Sequence, residues 1–223
     1  MISPHQFGFR RRIGTQQALL VVKSALQHHI ANKRRQFMVF IDVEAAYDSV
    51  DPQKLHDILQ LKQFTPSEVN VLMNLLTHMR ALTVTEWGDS DLFPLEKGIP
   101  QGDSLSPIIF SLYMDIAISI LNSTPLSSLP QSWNTIGFVD DIMGLVSTPE
   151  EAIAYIQQCS EVFSWLGMKV SLETTKVMQL YAHSLPLTNL RKEEGKFYMP
   201  VPLHGSTHWI HHFCSLANSC STY

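Results

Sequence analysis

Three aspartates stand at positions where an acidic side chain is unusual. Asp42 lies near the end of an apolar segment, residues 36–43, and Asp140 and Asp141 lie between two short apolar runs within residues 133–146. A buried acid is costly unless it is paired, hydrogen-bonded or bound to a metal ion. If the two segments are neighbours in one sheet, the carboxylates converge. Mg²⁺ prefers such oxygen ligands and leaves positions for water and substrate phosphates.

Such a site predicts phosphoryl-transfer chemistry. Two divalent ions about 4 Å apart stabilise both the attacking and the leaving oxygen of an in-line displacement. Taken alone, the pattern is weak evidence, because Asp140 and Asp141 could form an ordinary turn and Asp42 could cap a helix. The interpretation therefore depends on the segments that surround the three aspartates.

Apolar periodicity and capping signals predict the elements that must position these acids. The predicted helices cover residues 16–32, 51–63, 65–79, 106–121 and 149–166. The predicted strands cover residues 36–43, 81–87 with a partner at 92–97 across a turn at 88–90, a hairpin around Asp140 and Asp141, and 168–180. Because the elements mix without strict alternation, the pattern predicts an α+β fold, with an antiparallel sheet backed by helices.

Composition and charge limit the class of protein. The chain has 223 residues, of which 45% are hydrophobic, so a substantial core is expected. Residues 1–38 contain seven arginines and lysines and no acid, although the net charge of the chain is −4. A basic N-terminal segment followed by an acidic remainder suits a protein that binds phosphates with one surface and metal ions with another. The same basic residues could also form a solvated helix face.

The number of cysteines and the hydropathy of the chain indicate where the protein is located in the cell. Three cysteines are too few for a disulfide framework, so we expect a reducing, intracellular location. The histidines and cysteines near the C-terminus match no zinc-binding spacing. The longest apolar stretch, residues 105–121, contains Asp115 and is shorter than the roughly 20 residues of a membrane span. We therefore predict a buried helix there and no membrane partner.

Five motifs, in order over roughly residues 4–180, resemble those of reverse transcriptases. They are Gln6-Phe7-Gly8-Phe9-Arg10, residues 40–48 (FIDVEAAYD), residues 97–107 (KGIPQGDSLSP), Phe138-Val139-Asp140-Asp141, and Gly167-Met168-Lys169 followed by Lys176. The first and third motifs are most similar to the non-LTR (LINE-type) retrotransposon branch. Group II intron maturases are the nearest alternative.

The resemblance implies a reverse-transcriptase-like palm and an RNA-directed DNA polymerase. Its cofactors would be two Mg²⁺ ions, with Mn²⁺ as a substitute. Its partners would be an RNA or DNA template with a primer, and deoxynucleoside triphosphates. Asp42, Asp140 and Asp141 would be the catalytic residues, with Asp42 and Asp140 as the metal ligands and Asp141 beside them as a weaker ligand or as a residue that tunes the site.

The resemblance also implies a nucleotide-binding segment directly after Asp42. The backbone N–H groups of Val43, Glu44 and Ala45 would cradle the triphosphate. Tyr47 would be a steric gate whose ring leaves no room for a 2′-hydroxyl. A simple core aromatic is the alternative for Tyr47.

Further residues are assigned to the template and primer by the same resemblance. Gly98, Pro100, Gln101 and Gly102 would form a rigid turn that approaches the template, with Gln101 also near the incoming base pair. Lys176 and Arg10 would contact phosphates or the primer, although a solvated surface lysine is the alternative for Lys176.

The motifs divide the chain into two parts. Residues 1–182 are predicted to be the palm with partial fingers, and residues 183–223 a poorly ordered or divergent tail. No thumb is recognisable, so we expect a reverse transcriptase domain that is truncated at both ends. The alternative function is a catalytically inactive retrotransposon remnant, or a nucleic-acid-binding protein, that retains the palm.

Overall fold

The computed structural model describes residues 2–31, 36–123 and 135–180. The helices in these ranges are α1 (Thr15–Ala31), α2 (Pro52–Leu61), α3 (Pro66–Thr77), α4 (Ser106–Ser123) and α5 (Pro149–Trp165). The strands are β1 (Gln36–Ile41), β2 (Val43–Glu44), β3 (Arg80–Ala81), β4 (Val84–Thr85), β5 (Gly88–Asp89), β6 (Phe93–Pro94), β7 (Thr135–Phe138), β8 (Asp141–Val146), β9 (Lys169–Val170) and β10 (Lys176–Leu180). The predicted tail, residues 183–223, lies outside the described residues.

A four-stranded antiparallel sheet forms the centre of the fold. Its strand order is β10-β1-β8-β7, so β1 lies between two strands that follow it by about a hundred residues or more. The β7–β8 hairpin is formed as predicted, with Phe138 opposite Asp141. The predicted α+β fold with an antiparallel sheet backed by helices is therefore confirmed.

Both faces of this sheet are covered, as alternation along β1 requires. Phe37, Val39 and Ile41 belong to the main hydrophobic core, which includes residues of α2, α4 and α5. Met38 belongs to a second cluster on the other face, where it joins Val22 of α1. Because β1 is buried on both faces, residues 36–41 are almost continuously apolar and do not alternate with polar residues.

The predicted helix caps are present. Asp51 precedes α2, and its carboxylate accepts from the backbone N–H of Gln53 at 2.8 Å. Thr65 and Glu68 form a reciprocal capping box at the start of α3. Gly167 follows the end of α5 with φ +78°, a left-handed conformation that favours glycine. These signals are local, which is why the sequence alone revealed them.

Two predicted strands are wrong as single strands. Residues 36–43 divide at Asp42, since β1 belongs to the central sheet whereas β2 pairs with β9 in a separate two-stranded sheet. Residues 168–180 likewise divide into β9 and β10. The backbone N–H of Ser171 donates to the Asp42 carbonyl at 2.8 Å, which joins the two points of division. Extended apolar residues on both sides concealed the change of sheet.

The predicted hairpin between residues 81 and 97 has a different register. β3 pairs with β6, and a shorter inner hairpin pairs β4 with β5, with Thr85 opposite Gly88. The tight turn is therefore Glu86-Trp87, and the predicted turn at residues 88–90 is wrong. Gly88 has φ +125° and lies in β5. The sequence prediction placed Gly88 in the turn, whereas Gly88 is the first residue after the turn.

Helix α4 is the buried helix that the sequence predicts. Its 18 residues are long and apolar enough to cross a membrane, but 67% of them are buried within the protein. Its one acid, Asp115, is fully buried and forms an ion pair with Lys62. Burial of this kind is what a core helix shows.

Candidate active site

The predicted catalytic acids lie at one end of the central sheet. Ile41 and Ile142 form the last pair in the register of β1 and β8. Asp42 directly follows Ile41, and Asp141 directly precedes Ile142. Asp140 stands beside them in the turn between β7 and β8. Acids separated by about a hundred residues in the chain are thus neighbours in the fold.

The Asp140 carboxyl lies close enough to Asp42 for the two charges to interact. Burial raises the pKa of the Asp140 carboxyl above its ordinary value, its own backbone N–H opposes this rise, and the nearby Asp42 carboxylate adds to it. The pKa of the Tyr47 hydroxyl is raised by burial and then by the Asp140 carboxylate. The two acids and the tyrosine therefore surround a single region.

This donor set suits a divalent cation. Asp140 is desolvated and repelled by Asp42, and a bound cation would relieve both penalties. Within residues 2–31, 36–123 and 135–180, no group of three His, Cys, Asp or Glu side chains is arranged to hold an ion by itself. An ion at Asp42 and Asp140 would therefore complete its coordination with water or phosphate oxygens. Mg²⁺ commonly binds in this way.

Tyr47 is held by the core while it remains partly exposed. Its ring stacks on Phe110 of α4, with 4.2 Å between the ring centroids and 10° between the planes. Phe110 is fully buried, so it gives Tyr47 a rigid support. Both interpretations of Tyr47 from the sequence, a steric gate and a core aromatic, fit this position. The ring packs against the core, and it lies beside Asp140, the candidate catalytic acid.

The Gly98 segment is bonded directly to the segment that carries Tyr47. The backbone N–H of Gly98 donates to the Val50 carbonyl at 2.8 Å, and that of Ile99 donates to the Tyr47 carbonyl at 3.0 Å. Gly98 has φ +89°, and a Cβ added there would lie 2.9 Å from the Cα of Asp48. Only glycine allows this contact, which brings the predicted template-binding turn to the acidic site.

The rest of that turn is open to solvent. Gln101 and Gly102 are exposed, Pro100 is partly exposed, and Gly102 has φ +98° with nothing within 4 Å of an added Cβ. The carboxylate of Asp103 then accepts from the backbone N–H of Leu105 at 3.1 Å, just before α4 begins. Sequence reasoning had assigned no role to Asp103, although an acid just before a helix is a typical start signal.

The predicted triphosphate cradle lies between Asp42 and Tyr47 in the chain. Val43 and Glu44 form β2, whose pairing with β9 places Glu44 opposite Lys169, and their side chains form an exposed ion pair at 2.9 Å. Ala45 follows in a left-handed conformation with φ +43°. The segment thus turns sharply immediately after the sheet ends. Binding of phosphate by its N–H groups stays a prediction.

The two predicted basic contacts lie in different places. Lys176 begins β10 opposite Phe40, at the same end of the sheet as Asp42. Arg10 lies in the N-terminal segment, where its guanidinium donates to the carbonyls of Ser3 at 2.9 Å and Gln6 at 3.0 Å. Arg10 thus has a role in folding that segment, and its contact with template or primer stays a prediction.

Gln6 is a residue near the site that sequence reasoning missed. It is fully buried, and its side-chain amide bonds to Val139, the residue before Asp140. The sequence motif signalled that Gln6 mattered, but the 133 residues between the two partners concealed what it touches.

An antiparallel sheet with acids at one end and helices behind it is the architecture of a polymerase palm. The sequence model of the family described as "Reverse transcriptase (RNA-dependent DNA polymerase)" matches residues 1–200. The chain belongs to this reverse transcriptase family. Members of the family generally use divalent metal ions.

The similar curated proteins come mainly from mobile elements. The chain is 25% identical over 172 residues to the Pol polyprotein of the type-2 retrotransposable element R2DM from Drosophila melanogaster, covering 76% of this chain and 16% of that protein. It is 24% identical to a reverse transcriptase-like protein from Chlamydomonas reinhardtii, covering 78% and 42%. It is 27% identical to the RNA-directed DNA polymerase from the Drosophila mobile element jockey, covering 58% and 14%. The chain spans less than half the length of these relatives. The predicted resemblance to non-LTR retrotransposons is confirmed.

Solved structures show the same fold. Telomerase from Candida tropicalis, in complex with the TWJ fragment of telomeric RNA, matches with a TM-score of 0.61 and 16% identity, covering 97% of this chain and 38% of that chain. Apo telomerase from the same organism, truncated from its C-terminal domain, matches with a TM-score of 0.60 and 16% identity, covering 81% and 37%. The predicted reverse-transcriptase-like palm is confirmed as a fold.

Proposed function

We propose that this chain is an RNA-directed DNA polymerase domain that adds deoxynucleotides to a primer 3′-hydroxyl on an RNA template. The observation that carries the proposal is the convergence of Asp42 and Asp140 at one end of the central sheet, where Ile41 and Ile142 form the last pair of β1 and β8. Asp140 is partly buried, and the nearby Asp42 carboxylate adds to the rise of its pKa, so a bound cation would stabilise the ionised Asp140 carboxylate.

Asp42 and Asp140 are the side chains that would hold Mg²⁺ or Mn²⁺. When bound, such ions stabilise the charge on the attacking and leaving oxygens of a phosphoryl displacement. The carbonyl of Asp42 accepts from Ser171, so this aspartate is held by β9 as well as by β1. Asp141, at the first position of β8, is the adjacent and weaker candidate.

The remaining site residues would orient the substrates. Val43, Glu44 and Ala45 offer backbone N–H groups beside the acids for the triphosphate, and Tyr47 offers a ring for the sugar. The backbone hydrogen bonds from Gly98 to Val50 and from Ile99 to Tyr47 join the segment that leads to Gln101 to the segment of Tyr47, and Gln101 would contact the base pair. Template and primer would run past these groups, with Lys176 and Arg10 as candidate phosphate contacts.

Primer extension by the full 223-residue chain tests the proposal. The reaction contains an RNA template, a DNA primer, deoxynucleoside triphosphates and Mg²⁺. We expect wild type and the surface control Asp91→Asn to extend the primer, and Asp140→Asn to lose activity on the order of 100-fold or more. Extension by Asp140→Asn at the wild-type rate would contradict the assignment.

A second function, nucleic-acid binding without synthesis, is favoured by one observation. Residues 1–38 contain seven arginines and lysines and no acid, a distribution of charge that suits contacts with phosphates and needs no catalytic site. A chain with this function would bind primer–template with strong salt dependence and incorporate no nucleotide. The extension assay separates the two functions, because any template-directed synthesis that requires Asp140 excludes the second.

A further inference from the structure

The turn before Asp140 has an unfavourable backbone conformation. Val139 has φ +63°, in the left-handed region that a β-branched residue rarely adopts. Asp140 is the next residue, so its position depends on this conformation being maintained. A strained backbone of this kind persists only where the surrounding structure holds it.

The side chain of Gln6 supplies that support. Its Nε2 donates to the Val139 carbonyl at 3.1 Å, and its Oε1 accepts from the Val139 N–H at 3.1 Å. One amide group therefore satisfies both main-chain polar groups of the strained residue, as a neighbouring strand would. Gln6 is 0% exposed, so water does not compete for these hydrogen bonds.

The segment around Gln6 is fixed to the same hairpin by its backbone. The N–H of Phe7 donates to the Gly137 carbonyl at 2.8 Å, and the Gly137 N–H donates to the His5 carbonyl at 2.9 Å. Through these bonds Gln6 forms a parallel β-bridge with Gly137 of β7. The Gln6 side chain is thus placed by main-chain contacts that do not depend on its own amide.

Gly8 completes the contact with the turn. Its N–H donates to the Oε1 of Gln6 at 2.9 Å, so that oxygen accepts two hydrogen bonds. A Cβ added to Gly8 would lie 2.5 Å from the Val139 nitrogen, closer than side-chain atoms approach backbone. The absence of a side chain at Gly8 lets the N-terminal segment lie directly against the turn.

We propose that Gln6 is a positioning residue for Asp140: it holds Val139 in its left-handed conformation and so determines where the Asp140 carboxylate lies. Gln6 acts through Val139 and touches neither substrate nor metal. The inference rests on the proposed function for its catalytic consequence only, since the hydrogen bonds to Val139 exist in the protein without substrate.

Two substitutions at Gln6 separate the roles of its amide. Gln6→Met keeps the length of the side chain and removes both hydrogen bonds to Val139. Gln6→Glu keeps an oxygen that accepts from the Val139 N–H but removes the donor to the carbonyl. Gln157→Met, at an exposed position on α5, is the matched control.

Hydrogen exchange in the metal-free full chain is the first measurement. We expect the protection of the Val139 amide to fall about tenfold or more in Gln6→Met and less in Gln6→Glu, with the amides of β8 unchanged. We expect the Mn²⁺ dissociation constant, measured by electron paramagnetic resonance on the ion alone, to rise in the same order. Unchanged Val139 protection in Gln6→Met would overturn the proposal.

Steady-state kinetics are the second measurement. We expect kcat to fall 10- to 100-fold in Gln6→Met while the primer–template Kd stays at the wild-type value, because misplacement of a reacting group slows chemistry rather than binding. If Gln6→Met does not fold, Gln6→Glu takes its place. A lower Tm with unchanged kcat and unchanged Mn²⁺ affinity would show a purely structural role and overturn the proposal.

The two proposals fail in different ways. If wild type extends no primer while Gln6→Met still loses Val139 protection and Mn²⁺ affinity, the polymerase function fails and the positioning role stands. If wild type extends primers and Gln6→Met does so equally well, the polymerase function stands and the positioning role fails.

Discussion

Tyr47 stacks on Phe110 with 4.2 Å between their ring centroids, so a side chain at the candidate catalytic site is supported by a fully buried residue of α4. The contact links the position of the Tyr47 ring to the packing of α4. Because the two rings are nearly parallel, the plane of Tyr47 is determined by a residue that no substrate would touch.

This contact leads to a prediction about the choice of sugar. We expect Tyr47→Ala to raise the incorporation of ribonucleotides relative to deoxynucleotides on the order of 100-fold, because removing the ring makes room for a 2′-hydroxyl. Tyr47→Phe keeps the ring and should preserve discrimination. Competition between the two nucleotide types in primer extension measures the ratio. Equal discrimination by wild type and Tyr47→Ala would show that Tyr47 is only a core aromatic.

The two glycines of the predicted template-binding turn, Gly98 and Gly102, should respond differently to alanine. Both have positive φ, but a Cβ at Gly98 would also meet the backbone of Asp48, whereas a Cβ at Gly102 would meet nothing within 4 Å. We expect Gly102→Ala to lower the free energy of unfolding by about 1 kcal/mol through backbone strain alone. Gly98→Ala should cost about 1–3 kcal/mol more, because the clash adds to the strain.

Denaturant unfolding of the two glycine variants measures this difference. Gly102→Ala is the control for backbone conformation, so the excess cost of Gly98→Ala reports the close approach to Asp48. Equal costs for the two variants would mean that the Gly98 segment does not press against the turn after β2.

Asp140→Asn should stabilise the metal-free protein at neutral pH. Burial and the Asp42 carboxylate raise the pKa of Asp140, so the folded state holds this proton more tightly than the unfolded chain. That contribution to stability is complete below the ordinary pKa of 3.8 and is lost as the pH rises through the raised pKa. The amide introduced by Asp140→Asn does not ionise, so the variant does not lose this stability as the pH rises.

Thermal unfolding in a chelator tests the stability of Asp140→Asn. We expect its Tm near neutral pH to exceed that of wild type by about 2–4 °C, the shift that about 1 kcal/mol produces in a domain of this size. The gain should vanish in acid below the ordinary pKa, and Asp91→Asn should show no gain at either pH. A lower Tm for Asp140→Asn near neutral pH would contradict the unfavourable placement of the ionised Asp140 carboxylate.

The buried ion pair between Asp115 and Lys62 should be costly to break from one side. Asp115 is fully buried and also accepts from the backbone N–H of Ser3 at 2.7 Å. Lys62→Met leaves a buried carboxylate without the ammonium group that it contacts, so we expect a loss of about 3–5 kcal/mol. The double variant Lys62→Met with Asp115→Leu should recover much of this loss, because no charge then remains buried at the pair.

The exposed pair of Glu44 and Lys169 is the matched control for the buried pair. Removing Lys169 should change the free energy of unfolding by less than about 1 kcal/mol, since solvent screens an exposed pair. Denaturant unfolding compares these three variants with wild type. A loss from Lys62→Met as small as that from removing Lys169 would show that Asp115 finds another partner.

The sequence by itself determined the features that depend on neighbouring residues. Asp51 and Thr65 begin their helices with side chains that bond to backbone N–H groups two or three residues away, so each cap is visible locally. The β7–β8 hairpin also joins adjacent segments. The order of the motifs was sufficient to identify the family, because the motifs lie in the chain itself.

Tertiary structure alone decided the contacts between distant segments. The change of sheet at Asp42, the placement of Asp42 beside Asp140 and the bonding of Gln6 to Val139 all join residues that are far apart in the chain. Their energies come from pairings whose partners no local pattern specifies, since apolar extended residues fit more than one sheet equally well. The acids could be recognised as candidates from their neighbours, but the fold brings them together and holds the turn that carries one of them.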